Sequence, residues 1–102
     1  MGKLAGFYAL GSTAVITEHT VNTAGTPTAP ASAPTYAVYD TDAATAMDNS
    51  SGSMTSTTTG WYRCSVNCTA ANGYAAGNIY TVKIDYTIGS TSYATDQKFQ
   101  VT

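Results

Sequence analysis

Residues 79–101, IYTVKIDYTIGSTSYATDQKFQV, decide the fold of this chain. From residue 80 to 88 apolar or aromatic residues alternate with polar ones, a period of two that predicts a half-buried β-strand. Gly89 and Ser90 then supply the glycine-first pair that a type II′ hairpin turn prefers. We therefore predict a hairpin whose opposite residues are Ile88 and Thr91, Tyr86 and Tyr93, Lys83 and Asp96, and Tyr80 and Phe99.

The rest of the chain offers further short strands and no sustained helical period. The strand predicted over residues 61–69 should direct Tyr62, Cys64, Val66 and Cys68 to one side and polar residues and Trp61 to the other. Short strands rich in Thr, Val and Tyr are typical of all-β sandwiches. We predict one antiparallel β-sandwich domain over residues 1–102, with further strands at 3–10, 14–22, 35–40 and 53–58.

Segment 23–34 holds all three prolines of the chain. Proline cannot donate to a β-ladder and favours extended connections. Two interpretations stay open. Segment 23–34 is a crossing between the sheets, or it is a spacer that lets residues 1–22 pair as an arm with a neighbouring subunit. The arm interpretation predicts that removing residues 1–11 leaves the sandwich folded and weakens assembly.

Charge is sparse, because charged residues make up 10% of the chain against about 25% in a typical soluble domain. A net charge of −2 and only four Lys and Arg argue against a nucleic-acid partner, which needs clustered cations. The opening run MGKLAGFYALGSTAVI is broken by Gly6 and Gly11, so we expect neither a cleaved signal peptide nor a membrane partner. Low net charge favours association, which suggests that the chain belongs to a large assembly.

The only cysteines, Cys64 and Cys68, lie four residues apart on one predicted strand. That spacing separates them by about 13 Å, whereas a disulfide needs Cα atoms within about 7 Å. A zinc site would need more ligands, and His19 is the only histidine. We predict that both cysteines fill the core as reduced thiols, with an intermolecular disulfide left open.

No catalytic constellation is recognisable, so we predict no enzyme, cofactor or metal. His19 lacks an orienting acid and a nucleophile motif, and we expect a solvated or hydrogen-bonded strand histidine. Asp40, Asp42 and Asp48 fall in one predicted loop region. Turn formation explains these carboxylates, although a shared calcium ion stays open as the alternative.

Residues 60–101 resemble the last three strands of immunoglobulin-like and fibronectin-type-III-like sandwiches, through GWYRCSV, NGYAAGNIYTVKIDYTIG and YATDQKFQV. In those folds a turn residue shortly before a tyrosine, here Gly77 and Tyr80, opens the strand that carries the tyrosine corner. The resemblance implies an immunoglobulin-like sandwich with an extended N-terminal or Pro-rich segment. The inter-sheet disulfide of antibody domains is absent from this pattern, because both cysteines lie on one strand.

The Thr-, Ala- and Gly-rich chain is also similar to small immunoglobulin-like accessory proteins of tailed-phage virions. This resemblance implies a virion protein, assembled in the host cytoplasm, that acts as a capsid cement or decoration subunit on the major capsid protein, on copies of itself, or on both. The alternative is a tail, baseplate or surface module that binds carbohydrate or a receptor, which an exposed patch of Trp61, Tyr39 and Tyr74 would favour. The candidate protein-contact residues are Leu4, Phe7, Tyr8, Tyr39, Trp61 and Tyr74.

Overall fold

The computed structural model describes residues 3–30, 32–40 and 46–102, with side chains from residue 6 onward. A three-residue 3₁₀ turn, Ala70–Asn72, follows β6, and no helix in the described part is long and apolar enough to cross a membrane. The strands are β1 Lys3–Tyr8, β2 Thr13–His19, β3 Thr35–Asp40, β4 Ala46–Ser53, β5 Thr55–Thr58, β6 Trp61–Asn67, β7 Ile79–Ile88 and β8 Thr91–Val101.

The strands form two sheets. The five-stranded sheet has the order β1-β8-β7-β3-β4, and the three-stranded sheet has the order β2-β6-β5. β1 runs parallel to β8, whereas the other pairs are antiparallel. The prediction of an all-β chain is confirmed, and the two sheets pack face to face as a β-sandwich does.

The predicted hairpin is confirmed residue by residue. Ile88 pairs with Thr91, Tyr86 with Tyr93, Lys83 with Asp96 and Tyr80 with Phe99. Gly89 has a φ of 62°, which an L-residue rarely adopts and which the first turn position of a type II′ hairpin requires. Strand β3 also has its predicted bounds, and β6 alternates between exposed and buried residues from Trp61 onward as predicted.

One core lies between the inner faces of the two sheets. Burial of each large side chain there contributes about 1.5–3 kcal/mol relative to exposure. The prediction that both cysteines fill this core is confirmed, and both thiols are free. The buried cluster comprises Ala14, Ile16, Val38, Met54, Tyr62, Cys64, Val66, Cys68, Tyr74, Tyr80, Val82, Ile84, Tyr86, Phe99 and Val101.

Tyr80 begins the inward-facing row of β7. Its hydroxyl accepts a hydrogen bond of 2.9 Å from the backbone N–H of Ala75 in the preceding loop. The bond ties the loop to the strand by a tyrosine that reaches back along the chain, as a tyrosine corner does.

The strand predicted over residues 53–58 is present as β5, but only from Thr55 to Thr58, because Ser53 ends β4. The chain leaves the five-stranded sheet at Ser53, buries Met54 between the sheets, and enters the three-stranded sheet at Thr55. The Met54 N–H donates to Pro34 O at 2.8 Å, which fixes the crossing point. Sequence reasoning also missed β4, because its Ser- and Gly-rich residues have low strand propensity.

The N-terminal strands pair within the same chain. β1 lies beside β8, and β2 lies beside β6 with Ala14 and Ile16 fully buried. β2 ends at His19 rather than at residue 22 as predicted, because Thr20 turns the chain through mutual hydrogen bonds with Thr28. The described part of segment 23–34 leads from the three-stranded sheet to β3 of the five-stranded sheet, as a crossing does, and the arm interpretation stays a prediction.

Candidate interaction surfaces

The outer face of the five-stranded sheet carries exposed apolar side chains. Phe7 is 62% exposed and lies beside Gln100, which in turn pairs with Ile79, itself 42% exposed. These residues therefore form one row across β1, β8 and β7. Phe7 was predicted as a contact residue, whereas Ile79 was assigned only to a strand.

The outer face of the three-stranded sheet carries Trp61, which is 43% exposed. Its ring stacks on the ring of His19, the opposite residue on β2, with a centroid distance of 4.0 Å and an interplanar angle of 3°. The His19 Nε2 is buried and has no hydrogen-bond partner in the described part of the chain. The expectation of a solvated or hydrogen-bonded His19 is therefore wrong at Nε2, because the ring lies flat against Trp61.

Two predicted contact residues pack in the sandwich. Tyr74 is only 3% exposed, and its hydroxyl is 2.7 Å from that of Ser50. Tyr8 is half-buried, meets the Phe99 ring edge-on at 6.0 Å, and donates its hydroxyl hydrogen to Val15 O at 3.2 Å. Tyr74 is therefore a core residue, whereas Tyr8 packs on the core and keeps part of its surface exposed, and their role as contact residues stays a prediction.

Tyr39 lies half-buried on the outer face of β3, with Lys83 Nζ 5.0 Å from its ring centroid. This cation–π contact uses the ammonium group that the hairpin register places beside Asp96. Because Tyr74 is buried, Trp61, Tyr39 and Tyr74 do not form one exposed patch, and Trp61 and Tyr39 lie on different sheets. The side chain of Leu4 lies outside the described residues.

Metal-ligating side chains do not cluster in the described part of the chain. No group of three or more His, Cys, Asp or Glu residues there could hold a metal ion. Asp42 lies outside the described residues, so the calcium alternative stays a prediction. Burial raises the pKa of the Cys64 thiol to about 12, which leaves it protonated and unreactive at neutral pH.

Gln97 is an inward-facing polar residue that sequence reasoning left without a role. Its amide Nε2 donates to Thr17 O at 2.5 Å and to Glu18 Oε1 at 2.8 Å, and so joins β8 to β2 across the sandwich. The signal was present in the sequence, because alternation places Gln97 in the same row as Phe99 and Val101.

A cleft of about 550 Å³ lies where the β7–β8 hairpin extends past the start of β3. Tyr86 and Tyr93 contribute a stacked pair with centroids 5.0 Å apart, and Asp85 is the charged residue of the lining. The cleft combines aromatic carbon, hydroxyls and one carboxylate. Its lining residues are Ser32, Ala33, Thr35, Asp85, Tyr86, Thr87, Gly89, Ser92, Tyr93 and Ala94.

Comparisons with protein-family models, curated proteins and solved structures find no match to this chain. The functional proposals therefore rest on its own sequence, topology and surfaces.

Proposed function

We propose that the sandwich has immunoglobulin-like topology. The order β2-β6-β5 corresponds to strands B, E and D, and β8-β7-β3-β4 corresponds to G, F, C and C′. β1 then takes the place of a first strand that pairs with the last one. The bond from Ala75 N–H to the Tyr80 hydroxyl supports the assignment, since β7 is then strand F, where the tyrosine corner lies.

On this fold we propose a structural virion protein, a capsid cement or decoration subunit that docks on the major capsid protein of a tailed phage. The observation that carries the proposal is the presence of large exposed apolar side chains on both outer faces of the sandwich. Phe7 and Ile79 lie on one face, and Trp61 and Val15 on the other. Aromatic residues of this kind are enriched in interface hot spots.

Apolar groups on both faces suit a subunit that bridges neighbours. Each contact is small, but repetition over a lattice multiplies weak contacts. The resemblance to phage accessory proteins supplies the kind of partner, and fold alone does not determine function. The proposal therefore needs a test on particles.

The test is the copy number of this chain in purified particles from its source, measured by quantitative mass spectrometry against the major capsid protein. A lattice-bound decoration subunit is expected at on the order of hundreds of copies, because icosahedral symmetry repeats every site. A count of a few dozen or fewer would assign the chain to the tail or baseplate. Absence from the particles would overturn the virion proposal.

The second candidate is a tail, baseplate or surface module that binds neutral carbohydrate, and the cleft beside Tyr93 favours it. An aromatic ring, hydroxyls and the Asp85 carboxylate match the carbon and hydroxyl faces of a sugar. Titration of the full chain with neutral disaccharides, followed by the amide NMR signals of Ser92 and Ala94, tests this candidate. Shifts that disappear in Tyr93→Ala would support it, and unchanged spectra would remove it.

A further inference from the structure

Exposed sheet edges invite pairing with other chains, and proteins usually blunt them with bulges, short strands or covering groups. Three edges of this sandwich are blunted in that way. β1 has a register shift between Leu4 and Gly6. The pairing of β4 shifts opposite Ala37 and Tyr39, and β5 is four residues long with a shift of its own.

The free edge of β2 is covered by side chains. Ser12 O accepts from Cys68 N–H beside β6, so the alternation of the strand directs the carbonyls of Val15 and Thr17 to the opposite side. Val15 O accepts from the Tyr8 hydroxyl, and Thr17 O accepts from Gln97 Nε2. Both edge carbonyls are therefore satisfied within the chain.

The first half of β8 has no such device in the described part of the chain. The first described residue of β1, Lys3, pairs with Gln97, so residues 91–96 have β7 on one side and no described strand on the other. Their pairing with β7 is regular over its whole length. The segment contains no proline and one charged residue, Asp96.

The hydrogen bonds at the C-terminal end of β8 show to which side the N–H and C=O groups of each residue point. Val101 N–H donates to Asn78 O on the β7 side, and Thr102 N–H donates to Tyr8 O on the β1 side. Because the groups alternate along a strand, every second residue before Thr102 also faces the β1 side. Ser92, Ala94 and Asp96 therefore offer their N–H and C=O groups to the open edge.

We propose that this edge is a self-association site, at which β8 of a second copy of this chain pairs antiparallel across a two-fold axis at Ala94. In that register Ala94 faces Ala94 of the second copy, and Ser92 faces Asp96 of the second copy. The N–H and C=O groups that Ser92, Ala94 and Asp96 offer are then all paired. The hydroxyl of Ser92, rather than a second carboxylate, lies opposite the Asp96 carboxylate of the other copy.

The inner side of the same edge agrees with this register. Tyr93 lies opposite Thr95 of the second copy, so a half-buried ring extends along the joined sheet. Thr95 Oγ1 is buried and has no hydrogen-bond partner in the described part of one copy. The small number of paired residues makes a weak dimer, since association must offset lost translational and rotational freedom. Self-association does not depend on the proposed virion role.

The test is sedimentation velocity of the full chain over a range of concentrations up to about 1 mM, where weak dimers become populated. The sedimentation coefficient is expected to rise with concentration. Ala94→Asp and Ala94→Lys each place like charges opposite one another at the two-fold axis and keep the backbone bonds to β7. Within one copy the new side chain lies opposite Asp85 of β7, so Ala94→Asp is expected to be less stable than Ala94→Lys. Each variant alone is expected to sediment as a monomer, and their equimolar mixture is expected to regain the association.

Ser65→Asp is the matched control for Ala94→Asp, because it changes the net charge by the same amount at an exposed site of the other sheet. It is expected to associate like the parent chain. Circular dichroism verifies that every variant is folded. A monomer at all concentrations would overturn the proposal, as would association of Ala94→Asp alone or a mixture that stays monomeric. Amide exchange that protects Ser92, Ala94 and Asp96 only when a different protein is present would identify another occupant and also overturn it. None of these outcomes depends on copy number in particles.

Discussion

The two halves of the β7–β8 hairpin have the same alternating sequence and different surroundings. The covered half, residues 79–85 and 97–101, lies between β3 and β1 in the five-stranded sheet. The projecting half, residues 86–96, extends beyond the described residues of both strands. Phe99 in the covered half is fully buried, whereas Tyr93 in the projecting half is half-buried above a cleft.

The difference shows that alternation decides which face a residue occupies but not how deeply it is buried. In the covered half the ring centroids of Tyr80 and Phe99 are 5.7 Å apart, and the ring of Tyr74 in the preceding loop contacts Tyr80. In the projecting half Tyr86, a core residue that is 7% exposed, stacks on Tyr93, which is half-buried. Stability is therefore expected to reside in the covered half, and association in the projecting half.

The strongest test of this comparison is the pair Phe99→Ala and Tyr93→Ala. Removing the fully buried Phe99 ring is expected to lower the free energy of unfolding by about 3–5 kcal/mol, because a cavity remains among Tyr8, Tyr74 and Tyr80. Removing Tyr93 is expected to lower it by about 1 kcal/mol, the scale of a partly exposed aromatic pair. Urea unfolding with a common m-value measures both, and equal losses would contradict the division into two halves.

Much of this arrangement was accessible from the sequence. The hairpin register follows from Gly89, Ser90 and strict alternation, since a one-residue slip would turn the aromatic row to solvent. The buried cysteines followed from the alternation of β6. Local patterns determine these features, so they can be predicted without the tertiary structure.

The remaining features depend on contacts between distant residues. Tyr74 lies in a loop, where no alternation indicates burial. Its ring is buried because it contacts Ser50 on β4 and the ring of Tyr80. The stacking of His19 on Trp61 needs the β2–β6 register, which no local signal provides. The open edge of β8 depends on where β1 begins to pair, which only the sheet shows.

The pH dependence of stability at alkaline pH tests whether water reaches the interior of the covered half. Burial raises the pKa of Tyr74 from 10.0 to about 12, so the folded chain keeps a proton that the unfolded chain has lost between those values. The free energy of unfolding is therefore expected to fall as pH rises through that window. Tyr74→Phe should flatten this fall, because it removes the titrating hydroxyl, and Ser50 keeps its bond to Asp48 O.

Tyr86→Phe is the matched variant in the projecting half. Burial also raises the pKa of Tyr86, but a backbone hydrogen bond at Val21 lowers it, so its removal is expected to change the slope less. Urea midpoints measured at several alkaline pH values give both slopes. A slope in Tyr74→Phe equal to that of the parent chain would show that water reaches the covered half.

The hydrogen bond between the Ala75 N–H and the Tyr80 hydroxyl gives the next smaller effect. Tyr80→Phe removes the acceptor of the Ala75 N–H and is expected to lower the free energy of unfolding by about 1 kcal/mol. Tyr39→Phe, on the outer face of the same sheet, is the control with an expected change below about 0.5 kcal/mol. Faster amide exchange at Ala75 should accompany the loss, and an unchanged rate would mean that the bond does not hold the loop.

The smallest expected effect on stability comes from Phe7, in the strand that covers β8. Phe7→Ser removes a ring that is 62% exposed, so the free energy of unfolding should change by less than about 0.5 kcal/mol. Its neighbour Tyr8 packs on Phe99 and bonds Val15 O, and Tyr8→Ser should destabilise the chain by about 1–3 kcal/mol. If Phe7 is a docking residue, Phe7→Ser should reduce the copies retained on particles while urea unfolding stays unchanged. If the particles retain all copies of Phe7→Ser and its stability is unchanged, the row of Phe7 and Ile79 is not part of the docking surface. The outer face with Trp61 would then be the remaining candidate for binding the capsid.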